Sequence, residues 1–140
     1  MRKFLKSFLV CVLLVCCFSA NATVGQAAAP SEAISPLYAL TYKTKVSLSI
    51  SSGIAACSSY VKASDTSSTV SITVKLCKKE GNSWVSVKSW SVQNQEYAAY
   101  VDETYSVSKG TYRLHMSGTV VSADGTIENV SGVSAEKTIE

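Results

Sequence analysis

The stretch from Val70 to Trp90, VSITVKLCKKEGNSWVSVKSW, restricts the possible folds of this chain more than any other. Val70, Ile72, Val74 and Leu76 alternate with Ser71, Thr73, Lys75 and Cys77. Successive side chains on a strand point to opposite faces, so a period of two predicts a strand with one buried face. Lys78 to Ser83 contains Gly81-Asn82 and predicts a polar turn. Trp84 to Trp90 follows as a second run rich in β-formers, so the pair reads as a hairpin carrying both tryptophans.

The same alternation recurs on either side. Val46-Ser47-Leu48-Ser49-Ile50 predicts a strand, and Ser51-Ser52-Gly53 interrupts it as a bulge or sharp bend before Ile54 to Lys62 resumes it. Ala63 to Thr69 is a loop of small polar residues. Tyr97 to Val107 is β-like, and Thr111 to Ser117 puts Tyr112, Leu114 and Met116 on one face with Arg113 and His115 opposite. Asp124-Gly125 marks another hairpin, leading to a last strand within Ile127–Ile139. About seven short strands at this spacing, without helical periodicity, predict an all-β, antiparallel β-sandwich of immunoglobulin-like type; a small barrel is the competing architecture. Tyr112, just after Gly110 at the start of a late strand, stands where immunoglobulin-like domains place a tyrosine corner.

The N-terminus follows different rules. Arg2, Lys3 and Lys6 precede an apolar run from Ser7 to Phe18, and Ala20-Asn21-Ala22 and Ala27-Ala28-Ala29 both fit the small-residue cleavage pattern. The run is shorter than the roughly 20 residues that span a bilayer. The expectation is a helical signal peptide over 1–29, cut after Ala22 or Ala29, a flexible leader over 30–43 and a sandwich domain over 44–140. That places the protein outside the cell, touching membrane only through the signal before cleavage. The net charge of +3 then disappears, because it equals the contribution of Arg2, Lys3 and Lys6. A neutral chain lacks the cationic surplus that nucleic acid demands, so no nucleic-acid partner is expected.

Of five cysteines, Cys11, Cys16 and Cys17 lie in the signal, leaving Cys57 and Cys77. A hairpin centred on Ser67 sets these two opposite each other, ready for a cross-strand disulfide. If Ser51–Gly53 is a bulge, Ala55, Cys57, Ser59 and Val61 form the inward set instead, and Cys77 keeps the polar-face parity of Lys75. A one-residue register change separates the two arrangements, and a further alternative puts the two strands in different sheets, as consecutive strands of sandwiches often are.

Convergent catalytic groups are scarce. His115 is the single histidine; no nucleophile-elbow pattern surrounds a serine, and no spaced Cys or His set predicts a metal site. Asp102 and Glu103 are adjacent, and neighbours on a strand point to opposite faces, unlike the facing carboxylates of a glycosidase. No cofactor is indicated. Trp84 and Trp90 share a parity; Trp90 is expected in the core and Trp84 partly exposed, where its ring can stack on a ligand. Tyr100, with Tyr60 and Tyr97, adds a candidate aromatic surface.

Several segments together resemble a known group. Ser49-Ile50-Ser51-Ser52-Gly53 with Ala55 and Cys57, Leu76 with Lys78-Lys79, Trp84-x-x-Val87-x-x-Trp90, and Val107-Ser108-Lys109-Gly110-Thr111-Tyr112-Arg113 are similar to a family of small secreted single-domain β-sandwich proteins of Gram-positive bacteria. The resemblance implies a secreted sandwich and brings no catalytic residues with it. The functional expectation is a secreted, non-enzymatic module binding an envelope, glycan or protein surface, with Trp84 and Tyr100 as binding candidates. The alternative is a small secreted hydrolase using His115 in an atypical site.

Overall fold

The computed structural model describes residues 38–140; the expected signal peptide, its helix and most of the leader lie outside them. The described residues form eight strands: β1 (Thr41–Ser51), β2 (Ile54–Ala63), β3 (Thr69–Glu80), β4 (Ser83–Glu96), β5 (Ala98–Ser106), β6 (Gly110–Val121), β7 (Ile127–Val133) and β8 (Lys137–Ile139). One sheet has the order β1-β2-β5. The other runs β4-β3-β6-β7, with β8 also on β6. Every pairing is antiparallel. The all-β sandwich predicted from the alternation is therefore the architecture.

The reason lies in the inward parities. Val70, Ile72, Val74 and Leu76 of β3 and Tyr112, Leu114 and Met116 of β6 are buried from one side; Leu48, Cys57, Val61, Ala99 and Val101 meet them from the other. Neither sheet can hide its apolar face alone, and each large aliphatic side chain buried this way contributes about 1.5–3 kcal/mol. Trp90 packs against this core because a register shift at Leu76/Cys77, with Val87 as the extra residue, sets it opposite Val74 and reverses the parity it shares in sequence with Trp84.

Two local expectations change. Ser51–Gly53 is not a bulge but a hairpin turn: Ser51 pairs with Ile54, and Ser52 and Gly53 have φ of 49° and 73°. Positive φ at both central residues gives the turn whose twist matches paired strands. It sends Ala55, Cys57, Ser59 and Val61 inward. The C-terminal strand is also two strands: β7 pairs with His115–Val121, and after a break β8 pairs with Gly110–Tyr112.

The sheet orders place β2 beside β5 and β3 beside β6, the B–E and C–F neighbours of immunoglobulin domains. Tyr112 is 2 % exposed, and its hydroxyl donates to the Ser108 carbonyl oxygen at 3.0 Å, completing the tyrosine corner. At the other end, β4 passes into β5 of the opposite sheet through Tyr97 alone. Tyr97 has φ of 63°; its N–H donates to Ser68 O and its carbonyl accepts from Ala63 N, both at 2.8 Å.

Candidate functional site

On β2 the outward parity carries Tyr60 and Lys62, and register sets Tyr60 between Lys45 of β1 and Tyr100 of β5. The Tyr60 and Tyr100 rings lie 5.8 Å apart, tilted by 36°. Thr41 and Lys43 skip a register step, leaving Tyr42 as the extra residue of a bulge. The bulge swings Tyr42 beside Lys62, whose Nζ is 5.8 Å from that ring and 4.7 Å from the ring of Tyr97. Lys43 lies 5.9 Å from the Tyr60 ring. The result is a platform of four tyrosines threaded with lysines at one end of the three-stranded sheet. Tyr42 is 71 % and Tyr100 58 % exposed.

Two features show that the rings are held there. Each lysine rests against an aromatic quadrupole, which limits how far the rings and ammoniums wander. Tyr97 raises the Lys62 pKa, so this lysine is a cation throughout the neutral range. Tyr97 itself occupies the left-handed region, which costs a non-glycine residue about 1–2 kcal/mol. The two backbone hydrogen bonds of the corner hold it there, and the conformation aims its ring at Lys62. Backbone strain of this kind concentrates at functional surfaces.

Trp84, the other binding candidate, is on the opposite side of the molecule. It pairs with Lys79 on the outer face of the five-stranded sheet. The Arg113 guanidinium carbon is 4.2 Å from its ring centre and Lys79 Nζ 5.8 Å. The ring is therefore a support for cations rather than a free stacking surface. Trp84 and Tyr100 do not form one site. The platform residues Tyr42 and Lys62 carried no sequence signal beyond Lys62 sharing the parity of Tyr60.

Cys57 and Cys77 are free thiols in different sheets, so the cross-strand disulfide does not form. The chain leaves one sheet for the other between β2 and β3, and the supposed hairpin centred on Ser67 never pairs. Cys57 is in the core, where burial raises its pKa to about 11. Cys77 faces outward beside Arg113 but is covered to 8 % exposure; burial raises its pKa, and Arg113 and Lys75 oppose that rise.

His115 stands in register between Lys75 and Val133, with no carboxylate opposite it to orient the ring. Among the described residues no group of three or more His, Cys, Asp or Glu is placed to hold a metal ion. A cavity of about 390 Å³ opens beside Tyr105 and Tyr112, where Lys78 Nζ lies 3.2 Å from Ser108 Oγ. That ammonium belongs to the tyrosine corner: it sits 5.7 Å from the Tyr112 ring. No protein-family model matches the chain, and no curated protein matches it.

Proposed function

We propose that this protein is an extracellular, non-enzymatic binding module whose contact surface is the tyrosine–lysine platform, and that its ligand is a glycan. The observation that supports it most directly is the Tyr60–Tyr100 pair with Tyr42 alongside, on the outer face of the three-stranded sheet, where Tyr42 and Tyr100 are exposed. Tyrosine offers a rigid apolar face with a polar tip, and loses little rotamer freedom when it stacks. The C–H faces of a sugar ring are weakly positive and suit the negative face of the phenol; the hydroxyls of sugar and tyrosine suit each other as donors and acceptors. The signal-like N-terminus and the resemblance to secreted sandwiches of Gram-positive bacteria support the extracellular placement.

A glycan array probed with purified protein, together with retention on isolated cell walls, tests the reading. Tyr100→Ala and Tyr60→Ala are expected to weaken retention by about tenfold each while leaving the fold intact. Absence of retention on every surface, or retention indifferent to both substitutions, overturns it.

A further inference from the structure

The outer face of the five-stranded sheet differs from the platform in composition and geometry. β3 presents Ser71, Thr73, Lys75 and Cys77 outward, because the intervening residues are buried. Across β6 these meet Thr119, Ser117, His115 and Arg113. Following each row onto β4 and β7 adds only serines, Asn129 and Val133, with Trp84 opposite Lys79 at the end. From the Ser71 row to Lys79 no register partner on this face is Asp or Glu. Glu96 stands one row further out, opposite Thr69, and Glu136 precedes the Lys137 that pairs with Tyr112, on the chain flanking Arg113.

Two ends of this face are built differently. At one end a depression of about 340 Å³ opens over the paired Ile72 and Gly118, whose own Cβ positions face inward. Its walls are uncharged donors and acceptors, among them Thr73, Gln93, Ser117 and Asn129. At the other end the Arg113 guanidinium is stacked on Trp84, and its Nε is shielded from solvent with no hydrogen-bond acceptor. Stacking occupies the face of a guanidinium and the Nε edge is shielded, which leaves the fork of terminal amino groups to meet a planar oxyanion in plane. Lys75 and His115 stand between the ends. From Gly118 to Arg113 along β6 is roughly 17 Å, the reach of a few linked sugars.

We propose that this face is a second site, specific for a uronate-bearing polysaccharide. One sugar sits in the Gly118 depression against hydroxyl and amide groups. Carboxylates further along pair with Lys75 and with the fork of Arg113. Charge complementarity supports the occupant: the strand-paired residues from the Ser71 row to Lys79 include Lys75, Lys79 and Arg113 and no carboxylate, although residues 30–140 carry equal numbers of basic and acidic side chains. The depression has no aromatic wall for a base to stack on, which disfavours nucleic acid. The proposal does not depend on the tyrosine platform.

The test is affinity electrophoresis of purified protein in polygalacturonate, with dextran as the neutral polymer and oligodeoxythymidylate as a competing phosphodiester. Polygalacturonate is expected to retard the protein, less so as salt is raised. Arg113→Gln combined with Lys75→Ala is expected to weaken this by about tenfold or more, and Arg113→Lys to restore only part, since lysine lacks the fork. Tyr100→Ala is expected to leave it unchanged, which separates this site from the platform. Lys75→Glu, a substitution at an exposed position, serves if Arg113→Gln disturbs folding. Absence of retardation by polygalacturonate overturns the proposal, as does equal retardation by dextran. Displacement by the oligonucleotide at lower concentration than by free galacturonate oligomers, or retardation unchanged by Lys75→Glu, overturns it too.

Discussion

Glu128 ties the beginning of the described chain to the far sheet, and its removal has a calculable outcome. Its Oε2 accepts from the N–H groups of Ala39 at 2.6 Å and Leu40 at 2.9 Å, and its Oε1 from the Thr41 hydroxyl at 2.6 Å. The Leu40 carbonyl in turn accepts from Ser64 N at 2.8 Å, so the carboxylate holds both the start of β1 and the loop after β2. A buried bond to a charged group contributes about 1.5–3 kcal/mol. Glu128 is only partly buried, so water replaces much of what alanine removes, and Glu128→Ala should cost about 2 kcal/mol for the three bonds together. For a domain of this size that lowers Tm by about 10 °C.

The pH dependence has a definite sign. Burial pushes the Glu128 pKa up, but the hydrogen bonds from Thr41, Leu40 and Ala39 outweigh it and leave the folded value below the ordinary glutamate range. The clamp therefore stabilises fully above the unfolded pKa and is lost as pH falls through the lowered folded pKa. Thermal melts of wild type and Glu128→Ala should differ most near neutral pH and converge as the pH falls below the ordinary glutamate range. Comparing the two proteins cancels the parallel acid sensitivity of Asp65 and Asp124, whose carboxylates are also held low by local hydrogen bonds. Amide exchange at Ala39 and Leu40 should quicken in the variant. A Tm change below about 2 °C, or a difference that persists unchanged into acid, would refute the reasoning.

Two further outcomes follow from single contacts. Alkylation mapped by mass spectrometry should find Cys57 unmodified in the native protein at pH 8, because burial both covers the thiol and raises its pKa to about 11; Cys57 and Cys77 should both react after denaturation. A peptide linking the two would contradict the separate-sheet arrangement. Tyr112→Phe removes the hydroxyl that donates to Ser108 O and should cost about 1 kcal/mol in a denaturant titration with the fold unchanged. No loss would mean the corner bond adds nothing beyond what water supplies.

Legibility in the sequence divides by distance along the chain. The β3–β4 hairpin is local, and its two-residue Gly81-Asn82 turn sets Lys79 opposite Trp84 by counting alone. The tyrosine corner is also local, closing over four residues from Ser108 to Tyr112. Arg113 reaches Trp84 only because β6 pairs with β3, a contact between strands far apart in sequence that no periodicity announces. Tyr60 meets Tyr100 for the same reason, across the β2–β5 pairing. Ser51–Gly53 was ambiguous because a bulge and a hairpin turn use the same residues with the same preference for positive φ. The choice between them depends on whether the flanking strands pair, which is again a tertiary matter.

The single-residue passage at Tyr97 has a mechanical consequence. Most sandwiches join their sheets through loops that can lengthen under load. Here a pull on anything held by Tyr97 or Tyr100 enters β5 at its first residues and reaches β4 through a single residue, with no slack to take up. The ladders of β2–β5 and β3–β4 are then strained together along the strands, so many hydrogen bonds resist at once instead of opening one by one. A tether fixed to this face would fail by rupture of the whole sandwich rather than by gradual unravelling.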